Sequence, residues 1–180
     1  MTNEDFVDNR VWLDVKLSKK ELHECRLLGS DTVKICQMQG FNQRLENENQ
    51  SRDEANQLGF MAEYAVAKLF GLEKSGFNVI SDGGVDLWWG DATIEVKYTK
   101  SMKLLFDRPE SFAADYAVLV TMLPDKETFR FLGWVDRDTF MKNWKPYSGK
   151  FGERMSMASY DLLPPEKLWL ELRLKELSKC

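Results

Sequence analysis

The chain has 180 residues, 43% of them hydrophobic and 30% charged, enough apolar material for one domain with a real core and no call for a second. Its net charge of −4 excludes a protein that coats nucleic acid through overall charge, but not one with a local basic patch. The single histidine, His23, excludes by scarcity: histidine–metal nucleases, Ser-His-Asp hydrolases and Cys-His proteases each need a well-placed imidazole, and His23 lies in a polar helix start that predicts a surface position.

No apolar run reaches transmembrane length, and the polar start Met1-Thr-Asn-Glu-Asp5 is not a secretory signal. A cytoplasmic protein, of the cell or of a host cell, with no membrane contact is therefore expected. Cys25, Cys36 and Cys180 are odd in number and lack Cys-x-x-Cys spacing, which predicts reduced thiols rather than a disulfide framework or a zinc site.

In chain order, residues 11–17 alternate as a strand, and Ser18 with Glu21 forms a capping box that opens a helix. Gly29-Ser-Asp31 is expected to interrupt that helix, and a further helical run through Val33, Ile35 and Met38 to give way at Gly40. Residues 42–52 are too polar to pack and read as an exposed connector. A helix is predicted from Asp53 to about Phe70, with Leu58, Met61, Ala62, Ala65, Val66 and Leu69 as its buried stripe, Glu63 near the edge of that stripe and Gly71 as its stop. Strands follow at 78–80, 85–89 and 93–98, joined by turns at Asp82-Gly-Gly84 and Gly90-Asp91. Trp88 and Trp89 alternate across the sheet, so one is expected in the core.

Residues 108–114 read as a short helix or crossover, and the apolar run 116–123 as the central strand. Pro124-Asp-Lys126 makes a turn, residues 128–135 return as a strand, and Asp136 caps a helix running to Trp144. A last helix follows Pro164-Pro165 and packs through Leu168 and Leu172, against the sheet or a second subunit. The expected layout is a single domain with its core at about 53–135, an N-terminal strand–helix extension at 1–52 and a C-terminal helical tail at 136–180. Asp82-Gly-Gly84 lacks the Lys-Ser/Thr of a nucleotide-binding loop, so ATP use is unsupported.

The hairpin at 85–98 carries the chemistry. Asp86, Glu95 and Lys97 bring two carboxylates and an ammonium onto adjacent strands. Oxygen ligands suit a hard divalent cation such as Mg²⁺, and a lysine can position a water and stabilise charge on a phosphate. Alternation puts Glu95 and Lys97 on one face, sends Val96 toward the core and leaves its carbonyl available as a further ligand.

Asp86 followed by Glu95-Val-Lys97 resembles the signature of the PD-(D/E)xK nuclease superfamily, with Val85 where a proline often precedes the first Asp. Glu63 occupies the place of a glutamate that many members carry on the helix before these strands. The resemblance spans roughly residues 53–135. It implies a restriction-endonuclease-like α/β sandwich, a central mixed sheet flanked by helices. It also implies a Mg²⁺-dependent endonuclease or exonuclease, with Mn²⁺ able to substitute, that hydrolyses phosphodiesters in DNA rather than RNA. Asp86, Glu95 and the Val96 carbonyl would hold the metal, Lys97 would orient the attacking water, and Glu63 would anchor a second metal or its water. Three carboxylates so gathered would repel one another without a cation. The alternative is a nucleic-acid-binding or scaffold protein that retains the fold with little or no turnover; a homodimer stays open.

Asp14-Val-Lys16 is a second acidic-x-Lys triplet in a strand-like run. Too little chain precedes it to supply a Glu-bearing helix and an Asp-bearing strand, so the order of elements singles out the Lys97 copy. Two basic segments are candidates for DNA contact: Lys97, Lys100, Lys103 and Arg108 leaving the catalytic strand, and Lys142, Lys145, Lys150 and Arg154 interleaved with Tyr147 and Phe151. Solvated surface is the competing reading for each.

Overall fold

The computed structural model describes residues 12–38, 51–72, 85–149 and 152–178. Along them run β1 (Leu13–Lys16), α1 (Lys19–Met38), α2 (Arg52–Phe70), β2 (Leu87–Trp89), β3 (Ala92–Tyr98) and β4 (Lys103–Phe106). Then come β5 (Tyr116–Met122), β6 (Thr128–Asp136), α3 (Arg137–Asn143), β7 (Lys145–Gly149), β8 (Gly152–Ala158) and α4 (Pro165–Leu177). The fold is mixed α/β, as expected. One sheet has the order β1-β6-β5-β3-β2 and a second has the order β4-β8-β7. β3 and β5 are parallel, and the other neighbours are antiparallel.

β5 is interior because it is apolar on both faces. Tyr116, Val118 and Val120 enter a core shared with α1, α2 and α4, where Leu22, Leu58, Val66, Phe70 and Leu168 are buried. Ala117 and Leu119 enter a second core, shared with β4, β8 and α3. There Phe106 and Phe112 stack with centroids 4.5 Å apart, and Phe140 meets them edge-on at 5.2 and 5.5 Å. The larger sheet is thus sandwiched between helices on one side and the smaller sheet with α3 on the other.

The caps form as their residues dictate. The Ser18 N–H donates to Glu21 Oε2 at 2.6 Å while the Glu21 N–H donates to Ser18 Oγ at 3.3 Å. Ser51 caps α2 through the Glu54 N–H at 3.0 Å, Gly71 ends that helix at φ 65°, and Asp136 caps α3 through the Thr139 N–H at 2.8 Å. Glu21 also receives Lys68 Nζ of α2 at 3.1 and 3.0 Å, and the same ammonium donates to the Lys16 carbonyl at 3.0 Å. One side chain therefore clamps α1, α2 and β1 together.

Burial opposes the charged form of Glu21, but the Ser18 N–H, the Lys68 ammonium and the Ser18 hydroxyl outweigh it and lower its pKa from 4.5 to about 2. The unfolded chain binds the proton first as pH falls, so this contribution is complete above about pH 4.5 and fades toward pH 2. Denaturant melts should show Glu21→Gln less stable than the parent by about 1–2 kcal/mol at pH 7, with the gap closing as pH falls through that window. A gap that is constant with pH would place the effect in packing instead.

Several elements depart from the sequence reading. α1 runs unbroken through Gly29-Ser-Asp31. Gly29 is there for contact rather than as a breaker: a Cβ on it would lie 2.6 Å from the Gln57 nitrogen and 2.8 Å from its Cα, so α1 and α2 approach closely at that point. β1 is an edge strand of the larger sheet, with Leu13 opposite Phe131, so the N-terminal unit is built into the sheet. The tail after Asp136 is not only helical, since β7 and β8 form a hairpin that pairs with β4. Pro146, Gly149 and Gly152 disguise that hairpin, in which Met155 and Met157 alone of β8 reach the apolar core.

Other expectations are met directly. Trp89 is buried and Trp88 exposed. Leu168 and Leu172 of α4 cover the sheet. His23 is on the surface, and Cys25 is a buried thiol whose Sγ lies 3.7 Å from the Phe60 carbonyl. The expected strand at 78–80, the turn at Asp82-Gly-Gly84, most of the polar connector and Cys180 lie outside the described residues, as does the side chain of Cys36. Among the described helices none is long and apolar enough to cross a membrane.

Candidate functional site

The β2–β3 hairpin turns through Gly90-Asp91, and Gly90 at φ 59° supplies the positive φ that a two-residue hairpin loop requires. The start of β3 is fixed from the other side. The Thr93 N–H and hydroxyl donate to Asp115 Oδ2 at 2.8 and 2.9 Å, and the Asp115 N–H donates to Thr93 Oγ1 at 2.8 Å. β3 is then held along its length by parallel pairing with β5, Glu95 opposite Ala117 and Lys97 opposite Leu119.

Asp86 sits at the point where the β2 ladder ends. Its N–H donates to the Ile94 carbonyl at 3.0 Å, and its Oδ2 accepts the Val96 N–H at 2.6 Å, taking the place of a strand carbonyl. A residue in an extended strand presents its N–H and C=O to the same edge, so the Val96 carbonyl faces the edge that Asp86 occupies. This is the direction required if that carbonyl is to share a ligand with Asp86.

Ile94 and Val96 enter the core with α2, so Glu95 and Lys97 project from the opposite face of the sheet. Glu95 is 3% exposed and forms an ion pair through Oε1 with Lys97 Nζ. The lysine side chain remains 37% exposed, and its ammonium lies 5.3 Å from the centroid of the Phe106 ring on β4. A buried carboxylate at a sheet face, neutralised by an ammonium that still reaches solvent, is the type of arrangement found at functional sites. Phe106 could not be connected with Lys97 from the sequence, because the contact exists only once β4 has crossed onto the second sheet.

Glu95 and Lys97 are thus paired, and Asp86 is bonded to the backbone between them. Glu63 is on α2, half-buried, and that helix packs on the Ile94 and Val96 face. Among the described residues no group of three or more His, Cys, Asp or Glu side chains is placed to hold a metal. The expected metal-holding group of Glu63, Asp86 and Glu95 is therefore not found among the described residues.

The second acidic-x-Lys triplet has a structural explanation. Asp14 takes two hydrogen bonds from Arg130, at 2.8 and 2.7 Å, and Lys16 pairs with Glu127 at 3.1 Å, both across the β1–β6 ladder. The Arg130 hydrogen bonds hold the Asp14 pKa below the usual carboxylate value.

The candidate nucleic-acid residues scatter. Lys100 is 3.9 Å from Glu54 on α2, whereas Lys103 stands over the Tyr147 ring at 4.3 Å on the smaller sheet. Arg108 precedes the 3-10 turn Pro109–Ser111 and is exposed. Arg154 is tied to Asp107 at 2.7 Å, Lys142 and Lys145 are exposed, and Lys150 and Phe151 lie outside the described residues. The basic run leaving β3 is consequently split between two faces. Compared with family models, curated proteins and solved structures, the chain matches none.

Proposed function

We propose that the chain is a metal-dependent nuclease of the restriction-endonuclease-like type, hydrolysing phosphodiester bonds, with Asp86, Glu95, Lys97 and the Val96 carbonyl as its site. One observation carries the reading: Asp86 is fastened to the Val96 N–H at 2.6 Å, the backbone between the buried Glu95 carboxylate and its partner Lys97. Burying a carboxylate gives a fold little that an apolar side chain would not, so a buried Glu95 on the strand that Asp86 grips is better explained by chemistry than by stability.

The donor set fits Mg²⁺ or Mn²⁺. Two carboxylates and a carbonyl are all oxygen, and Mg²⁺ is commonly held by one or two carboxylates with water completing its shell. Glu63 is left out of this set because its helix lies on the other face. A bound divalent cation supplies Lewis acidity and a more acidic water. The chain's own groups do the rest. Glu95, desolvated by its strand, is held in one orientation by Lys97. The Lys97 ammonium can donate a hydrogen bond to an attacking water or to a phosphate oxygen, and its distance above Phe106 keeps one side of it dry. DNA is the preferred substrate.

Thermal melts test the metal site independently of turnover. A cation that binds only the folded state at roughly a hundred times its dissociation constant adds about 2–3 kcal/mol, a rise of roughly 5–10 °C for a chain of this size. The parent should show that rise with Mg²⁺ or Mn²⁺. Asp86→Asn should not, although its amide oxygen can still accept the Val96 N–H and preserve the metal-free melting temperature. Equal shifts in the two proteins would remove Asp86 from the site.

A further inference from the structure

At the carboxyl ends of the parallel strands β3 and β5, an open groove of about 580 Å³ separates the sheet from the α1–α2 pair. Its floor is apolar and aromatic, with Tyr98 from β3 and Met122 from β5, and its lining carries Arg26, Lys100 and Lys126 against one carboxylate, Glu54. Three cations against one anion give this groove a local charge opposite to the chain's overall −4. Asp125, in the turn beside Lys126, stays anionic while accepting the Thr128 hydroxyl at 2.6 Å and the Thr128 N–H at 2.9 Å, but it lies outside the lining, and counting it still leaves the groove net positive. The cations come from three distant parts of the chain, which is why the basic run that contains Lys100 did not announce Arg26 or Lys126.

We propose that this groove binds single-stranded nucleic acid, seating an unpaired nucleotide with its base against Tyr98 and Met122 and its phosphates among Arg26, Lys100 and Lys126. The choice of a single strand follows from the floor. A duplex buries its base faces in its own stack, whereas an unpaired base can stack on an aromatic or thioether surface, and a cationic rim tracks the backbone. The open ends of parallel strands are also where α/β sheets most often take ligands. The substrate class rests on the nuclease reading, and the groove then extends the path of that substrate from the Lys97 face around the end of β3.

The test is binding of a fluorescent oligo(dT) of about 15 nucleotides in chelator, followed over a range of salt. Arg26→Ala combined with Lys126→Ala should weaken binding at least about tenfold and flatten the log–log salt slope by about 1.4, the loss of two phosphate contacts on a single strand. Glu54→Gln, which removes the one opposing charge, should tighten binding several-fold. Lys20→Ala combined with Lys167→Ala removes the same charge elsewhere and should change little. A groove pair no worse than that control pair, a Glu54→Gln that fails to tighten, or competition by duplex DNA or by dTMP equal to that of the oligonucleotide would each overturn the proposal. The two readings fail separately. If Lys97→Ala abolishes cleavage while the groove variants bind normally, only the groove is lost; if the groove effects hold while the parent cleaves nothing, only the nuclease is lost.

Discussion

Asp86→Asn, Glu95→Gln and Lys97→Ala are each expected to slow cleavage of DNA in Mg²⁺ by at least about a hundredfold while leaving the protein folded. The three do different work, so the losses should differ in kind. Glu95→Gln removes the buried partner of a part-exposed ammonium, and its loss should be accompanied by a small drop in stability, because Lys97 is left beside a neutral group but can still reach solvent. Lys97→Ala leaves Glu95 buried and uncompensated, which also lowers stability; Lys97→Met, which fills the space over Phe106, separates lost charge from lost packing. Asp86→Asn should lose activity with little loss of stability. Glu63→Gln should cost less than about tenfold, since its helix packs on the other face. Asp14→Asn breaks a two-hydrogen-bond pair with Arg130 and should cost about 0.5–1 kcal/mol of stability while cleavage stays within a few-fold of normal. Rates from linear, circular and single-stranded DNA, with circular dichroism to establish folding, check the set. A folded Lys97→Ala protein that cleaves as fast as the parent would sink the assignment.

Gly133→Ala should destabilise the protein by about 3–5 kcal/mol. Gly133 lies in β6 at φ 147°, next to the register shift where Leu119 and Val120 of β5 pair with Gly133 and Phe131 in turn. A methyl group there would meet Leu162 Cβ at 2.6 Å and the Leu163 carbonyl at 2.9 Å. The obstruction cannot move aside cheaply, because Leu163 is bound on both sides: its N–H donates to the Trp134 carbonyl and its carbonyl accepts the Trp134 N–H, each at 2.9 Å. The Trp134 indole N–H also holds the Pro164 carbonyl at 2.9 Å. Backbone strain and overpacking therefore add at one site. Chemical denaturation reads the loss, and a change under about 1 kcal/mol would show that the 162–164 segment yields more easily than its bonds suggest.

The parts of the fold that were legible in the sequence are those whose cause is local. The β2–β3 hairpin follows from Gly90-Asp91 and from alternation on either side of it, and the same alternation correctly put Glu95 and Lys97 on one face. α2 declared itself through its stripe and its Gly71 stop, and β5 through an apolar run that only an interior strand can carry. What was not legible depends on partners remote in the chain. Gly29 reads as a breaker until Gln57 is known to lie against it. β4 is only four residues, and nothing in Lys103–Phe106 announces that its pairing partner is β8. The position of Glu63 relative to Asp86 depends on which face α2 covers, and helical periodicity shows which stripe of a helix is buried but not which side of a sheet receives it.

β1 finds its place opposite a strand made more than a hundred residues later, Leu13 against Phe131. During synthesis at about 5–20 residues per second, the N-terminal segment must wait on the order of 6–24 s before its neighbour has emerged. For that interval it is a short extended segment with an unsatisfied edge, the kind that pairs with the wrong chain. Asp14 and Lys16 put opposite charges on it, and they are held by Arg130 of β6 and by Glu127 just before it once that segment arrives. The triplet that resembles a catalytic signature thus puts opposite charges on a strand that is made well before its neighbour, and neutralising both charges should raise the aggregated fraction during expression more than it lowers the stability of the finished protein.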